Sequence, residues 1–153
     1  MKNILLIAHA PSENTRTMAQ AVVRGCQHPD ISGIQCQWLS PFDTDAEAVK
    51  QCHGIILGTT ENLGYMSGAL KDFFDRIYYP CLEACQGKPA ALYIRAGHDG
   101  TGTQRAVDTI CTGLKWNFVL PTTLCRGPWQ SDFSSQCETL GTTFAAGLEA
   151  GIF

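Results

Sequence analysis

The sequence predicts an α/β fold in three layers: a five-stranded parallel sheet of order 2-1-3-4-5 with helices on both faces. Three observations carry that reading. Short apolar runs alternate with longer segments whose apolar residues recur at helical spacing, the pattern of strand–helix–strand units. Several of the runs are apolar throughout, as strands covered on both faces are. The chain has 153 residues, 44% apolar and 16% charged, which suits a single globular domain over residues 1–153.

The elements follow in order. Residues 3–8 (NILLIA) read as the first strand. Residues 15–26 read as a helix, with Met18, Ala19, Val22 and Val23 on one face and Gly25 near its end. Residues 34–39 alternate Ile34, Cys36 and Trp38 against Gln35 and Gln37, a half-exposed strand near a sheet edge, with Trp38 in the core. Residues 43–51 are a short helix of weak periodicity, and residues 54–58 (GIILG) a buried strand. Residues 67–78 are the clearest helix. Ala69, Leu70, Phe73, Phe74 and Ile77 form its apolar stripe, Ser67 caps it and Pro80 is expected to stop it. On its wet face Asp72 with Arg76 and Lys71 with Asp75 are four-residue charge pairs, each worth roughly 0.2–0.5 kcal/mol. Residues 89–96 (PAALYIRA) are the fourth strand and residues 103–114 the next helix. Residues 117–124 are the fifth strand, interrupted by Pro121, and residues 134–150 a closing helix rich in Ala and Gly.

Composition narrows the function. A net charge of −3 and a pI of about 5.7 argue against a nucleic-acid or polybasic membrane partner. No apolar run approaches the length of a membrane span. The first strand begins at Asn3, leaving no room for a secretory leader, so a cytoplasmic location is expected. The eight cysteines are scattered, and no two have the two-residue gap of a zinc or redox motif. They read as reduced thiols acting as small hydrophobes, with a regulatory disulfide as the alternative; Cys81 and Cys85, four apart, could share a helix face.

In open α/β sheets ligands bind outside the carboxyl ends of the strands, where the strand order switches. Here the switch falls between strands one and three, which singles out three loops. The first, residues 9–17 (HAPSENTRT), runs from His9 into a helix N-terminus. It offers Ser12, Asn14, Thr15 and Thr17 as donors, the cation Arg16, and free backbone N–H groups, a set suited to an anion. Ordinary helix capping uses the same residue types. There is no Walker lysine, which disfavours a nucleoside triphosphate. Glu13 must point away from any phosphate held there.

The second loop, residues 59–66, is longer than the two to six residues a strand–helix connection commonly needs, roughly eight. Gly58 and Gly64 permit close backbone approach. Thr59, Thr60 and Asn62 can hydrogen-bond, while Leu63, Tyr65 and Met66 give flat or pliable apolar surface. Together they suit a planar heteroaromatic ring; a plain surface loop is the competing reading. The third loop, residues 97–102 (GHDGTG), has the wrong glycine order for a dinucleotide fingerprint, yet three Gly in six positions imply a close backbone approach or a flexible turn.

NTRTMA after the first strand and GTTENLGYMSGALKDFFDR after the third resemble the flavodoxin-like superfamily, in particular its NAD(P)H-dependent FMN reductase and multimeric flavodoxin-type quinone reductase branches. Those members carry a Ser/Thr/Asn-rich phosphate loop and a block that this chain matches at Gly58, Thr60, Gly64, Met66, Ser67, Leu70, Lys71, Phe73, Asp75 and Arg76. Two positions differ from the commoner residue: Glu13 stands where flavodoxins usually have Gly, and Thr60, which the block allows beside Pro, stands where typical reductases have Pro. The resemblance implies a flavodoxin-like three-layer sandwich that binds FMN. It implies that Ser12, Asn14, Thr15, Arg16 and Thr17, with His9 at the loop's start, hold the phosphate. Thr59, Thr60, Glu61, Asn62, Leu63, Gly64, Tyr65 and Met66 would line the isoalloxazine, and Gly97, His98, Asp99 and Gly102 would close over its other edge.

The implied function is an FMN oxidoreductase that passes electrons from NAD(P)H to a quinone, a flavin or a similar small acceptor. The flavin N5 then carries the chemistry, and no catalytic side chain or metal is required; His98 is the one candidate proton relay, a solvated surface His being the plainer reading. Tyr65 is the leading ring contact, and Trp129 a lid or a subunit contact. Such sites are often completed by a neighbouring subunit, and the apolar Ile152 and Phe153 are compatible with a homo-oligomer. Two alternatives stay open: an electron carrier of the same fold without nicotinamide turnover, and a diverged non-redox module that Glu13 has deprived of flavin. A receiver domain would need acidic residues after strand one, and a small tyrosine phosphatase a Cys there; the sequence has neither.

Overall fold

The computed structural model describes residues 1–153. Its strands are β1 (Lys2–Ala8), β2 (Ile34–Leu39), β3 (Gly54–Asn62), β4 (Tyr65–Met66), β5 (Pro89–Ala96), β6 (Asn117–Phe118) and β7 (Thr123–Arg126). Its helices are α1 (Glu13–Cys26), α2 (Ala46–Gln51), α3 (Gly68–Cys81), α4 (Thr101–Leu114) and α5 (Asp132–Glu149), with a 3-10 turn at Pro41–Asp43. The main path through the sheet is β2-β1-β3-β5-β6, all parallel, with β7 pairing β5 beyond β6. Counting β6 and β7 as one interrupted strand, this is the expected 2-1-3-4-5 order.

Strand alternation sends side chains to two apolar layers. Leu5, Ile7, Ile55, Leu57, Leu92 and Ile94 pack under α2, α3 and α4, while Ile4, Leu6, Ile56, Ala91 and Tyr93 pack under α1 and α5. The second layer is closed by a tight helix pair. A Cβ on Gly25 of α1 would strike the Glu138 carbonyl of α5, and one on Gly141 of α5 would strike the Val22 carbonyl of α1. No helix is long and apolar enough to cross a membrane.

Four expectations about the elements need correction, and a fifth, the interruption at Pro121, is met. The segment after Gly58 is not an irregular loop. β3 continues to Asn62, turns at Leu63 and Gly64 (φ 54° and 78°), and returns as β4 in antiparallel register, Glu61 opposite Met66 and Asn62 opposite Tyr65. This is a hairpin projecting beyond the sheet, which explains its length. Pro80 does not stop α3; it lies inside the last turn, where its missing N–H removes a single ladder bond and the helix ends one residue later. The short helix before β3 is split into the 3-10 turn and α2. Arg76 fixes that turn to α3: its guanidinium donates to the carbonyls of Pro41 (2.7 Å) and Thr44 (2.9 Å) while pairing with Asp72 (2.8 Å). The fifth strand is broken between Phe118 and Thr123 around Pro121. Finally, α1, α4 and α5 each start two residues before the expected positions; the first turns of α1 and α4 are polar and lack the apolar period.

All eight cysteines are free thiols, seven buried and Cys36 half-buried. Burial pushes the Cys52 thiol up to about 11 and the Cys81 thiol up to about 12, so both stay protonated at neutral pH.

Candidate functional site

The site is built where β1 and β3 release the chain at the carboxyl edge of the sheet. After β1, the His9 N–H donates to the Gly58 carbonyl (3.1 Å), tying the first loop to β3. Burial lowers the His9 pKa below its ordinary value, which keeps the half-buried imidazole neutral at neutral pH. Ser12 caps α1 reciprocally with Thr15. Ser12 Oγ accepts from the Thr15 N–H (3.2 Å), and Thr15 Oγ1 accepts from the Ser12 N–H (2.9 Å). Thr17 Oγ1 donates to the Glu13 carbonyl (3.1 Å). Three hydroxyls of the expected anion set therefore serve the helix itself. The first-turn N–H groups of Glu13 and Asn14 have no intrahelical acceptor, and the side chains of Asn14 and Arg16 are exposed beside them. Glu13 is exposed as well, so nothing holds its carboxylate over those amides.

The β3–β4 hairpin forms the second wall. Alternation divides its residues between two faces. Thr59 and Met66 are buried on the α3/α4 side; Thr59 Oγ1 accepts from the Ser67 N–H (3.0 Å) at the start of α3, and Met66 joins the core. Both positions were expected to line a ring, but burial leaves them no surface to offer one. Thr60 and Asn62 point to the α1 side, and Tyr65, opposite Asn62, shares that face. Thr60 Oγ1 donates to Asn62 Oδ1 (2.9 Å). Tyr65 is 40% exposed, and Leu63 at the tip is fully exposed.

Glu61 has a different task from its neighbours. Its carboxylate accepts from the His98 N–H (3.0 Å) and the Gly100 N–H (2.9 Å), so it clamps the third loop to the hairpin. The rest of that loop is shaped by α4. Gly100 (φ 73°) is the helix N-cap, and Asp99 accepts from the Thr101 N–H (3.2 Å) and hydroxyl (3.0 Å), which lowers the Asp99 pKa. Gly102 lies within α4, and a Cβ there would strike the Gly64 carbonyl. The close approach implied by these glycines is thus met by the hairpin tip resting on α4. Gly97 and His98 are exposed, and Gly97 has open space at its Cβ position.

Arg95, near the end of β5, was not among the expected site residues. It is in register with Thr60 on the same edge and face. Its guanidinium donates to the carbonyls of Ala96 (2.7 Å) and Cys125 (3.2 Å) and lies 4.9 Å from the Phe133 ring and 5.9 Å from that of Trp129. The available signal was one charge inside the otherwise apolar PAALYIRA. Trp129 packs edge-on against Phe133 at 5.6 Å, over this cation. The edge as a whole is an open shelf: free amides and a cation at one end, hydrogen-bonding groups and an aromatic ring at the other. Two grooves lie elsewhere, one of about 640 Å³ between α5 and the β6–β7 turn and one of about 510 Å³ beside β2.

The family described as NADPH-dependent FMN reductase matches residues 1–127 of this chain. A flavodoxin of Aquifex aeolicus (strain VF5) is 27% identical over 114 residues, covering 74% of this chain and 60% of that protein. This chain thus spans less than two thirds of that relative's length. Among solved structures, a flavodoxin from the domain Archaea superposes with a TM-score of 0.79 at 20% identity, over 97% of this chain and 99% of that one. A flavodoxin, WrbA-like protein from Agrobacterium tumefaciens gives 0.78 at 17% identity, over 98% and 99%. The flavodiiron core of Flv1 from Synechocystis sp. PCC6803 gives 0.80 at 19% identity, over 98% of this chain and 36% of that one. The fold is therefore flavodoxin-like.

Proposed function

Since the chain belongs to the NADPH-dependent FMN reductase family, we propose that it binds FMN on the β1–β3 shelf and passes electrons from NAD(P)H to a small acceptor such as a quinone or a flavin. The observation that carries this reading is the pairing of an α1 N-terminus with unused amides and a hairpin that presents Thr60, Asn62 and Tyr65 toward it. The donor set fits a phosphate monoester. The Glu13 and Asn14 N–H groups, the Asn14 amide and the Arg16 guanidinium offer hydrogen bonds and positive charge, and the helix dipole adds to both. When bound, FMN would supply the hydride-accepting, two-electron chemistry.

The chain's own residues position and shield. Tyr65 offers a flat face for a ring, with Thr60 and Asn62 as polar contacts at its edge. Glu61 holds the hairpin and the third loop as one wall, so that the shelf keeps its width. His98, exposed on that wall, is the candidate for moving a proton. Arg95 places a positive charge behind the shelf, which favours an extra electron there.

The likeness to flavodoxins favours a second reading, a carrier of electrons between proteins with no nicotinamide turnover. The two are separated by mixing the FMN-loaded protein anaerobically with NADPH or NADH and following flavin bleaching. Bleaching faster than that of free FMN, followed by multiple turnovers with a quinone, supports the reductase. Flavin that stays oxidised under both nucleotides but is reduced by dithionite supports the carrier.

A further inference from the structure

The sheet order leaves β2 at one edge, with an outer row of N–H and C=O groups facing no strand. Natural edges are usually kept from pairing by charges, proline, bulges or shortness. The opposite edge follows that rule: it is broken around Pro121 into strands of 2 and 4 residues. β2 does not. It is six unbroken residues, IQCQWL, inside residues 31–42, the longest stretch of the chain without an Asp, Glu, Lys, Arg or His. Nor is its neighbouring surface covered. α2 has only six residues, and the groove of about 510 Å³ beside β2 is lined by Gln35, Cys36 and Gln37 among others. Gln35 and Gln37 are exposed there, and Phe42, just past the strand, is 60% exposed.

We propose that two copies of this chain pair antiparallel through β2, about a two-fold axis at Cys36, into one continuous sheet. The sequence of β2 selects this occupant. A two-fold axis normal to the sheet keeps each face on its own side, so residues oppose like-facing residues. Centred on Cys36, the register sets Ile34 against Trp38 of the second copy, an aromatic–β-branched pair on the α1 side. It sets Gln35 against Gln37 of the second copy on the open side, where two carboxamides can hydrogen-bond. Cys36 meets its own copy. No charge opposes a like charge anywhere along the strand. The interface is small, so association is weak and concentration-dependent.

The test is sedimentation equilibrium of the purified chain over rising concentration, beside the double variant Gln35→Lys/Gln37→Lys. The expected result is a wild-type mass that climbs from 16.6 kDa toward twice that value. The double variant, whose lysines face one another across the axis, stays monomeric with an unchanged circular dichroism spectrum and an unchanged FMN titration. A second variant fixes the register: Gln35→Cys/Cys36→Ser/Gln37→Cys, oxidised with diamide, yields a disulfide between positions 35 and 37 of different chains on peptide mapping. A wild-type chain that is monomeric at every concentration, a dimer indifferent to the lysines, or a lysine-sensitive dimer without that cross-link overturns the proposal. Failure of FMN binding bears on the shelf and leaves this interface standing.

Discussion

Asn14 and Arg16 carry the anion-binding argument at the residue scale, because Ser12 and Thr15 are already bonded to each other. Sequence alone could not divide these roles: capping and phosphate recognition draw on the same side chains, and the capping geometry separates them. Asn14→Asp keeps the size and adds a negative charge at the first-turn amides. FMN affinity should fall by about tenfold, roughly 1.4 kcal/mol, in a flavin-fluorescence titration. Unchanged affinity would place the phosphate elsewhere. Glu61 shows the opposite limit of residue-level reading. Its neighbours in sequence suggest a ring contact, yet its carboxylate accepts from the His98 and Gly100 amides 37 and 39 positions away, which no local pattern encodes.

At the scale of elements, apolar periodicity located every strand and helix of the central sheet, since burial is what that period reports. It lost the track where an element leaves the core. TTEN is polar on both faces and so suggests an end to β3 at Gly58, but Thr is β-branched and extended backbone continues there. The polar start of α4 hides the helix N-terminus in the same way, and it supplies a pH prediction. The Thr101 bonds lower the folded Asp99 pKa, so this carboxylate adds stability that is complete above its unfolded value of about 3.9 and is lost as pH falls through the lower folded value. In urea melts, Asp99→Asn should therefore be less stable than wild type near neutral pH, and the two should converge in acid. A gap that persists in acid would mean that the bonds do not depend on charge. The α1–α5 contact gives a second test. Gly141→Leu must force the helices apart where the Val22 carbonyl now lies, costing on the order of 3 kcal/mol by chemical denaturation. A loss under about 0.5 kcal/mol would show that the helices do not pack this closely in solution.

For the whole molecule, the alternation of runs pointed to a parallel sheet with helices on both faces, and the structure has the 2-1-3-4-5 order expected of five such strands. The two motifs after β1 and β3 pointed to the edge where that order reverses, and the structure puts the free α1 amides and the hairpin face there. What was not legible came from contacts distant in sequence: Arg95 under Trp129 and Phe133, and the Gly102 approach to Gly64. The central claim is that this shelf holds FMN. Titrating FMN with the purified chain and following flavin fluorescence tests it most directly. The account predicts saturable quenching with one FMN per chain and weaker quenching in Asn14→Asp. Fluorescence that never departs from that of free FMN, with a folded protein in excess, would contradict it.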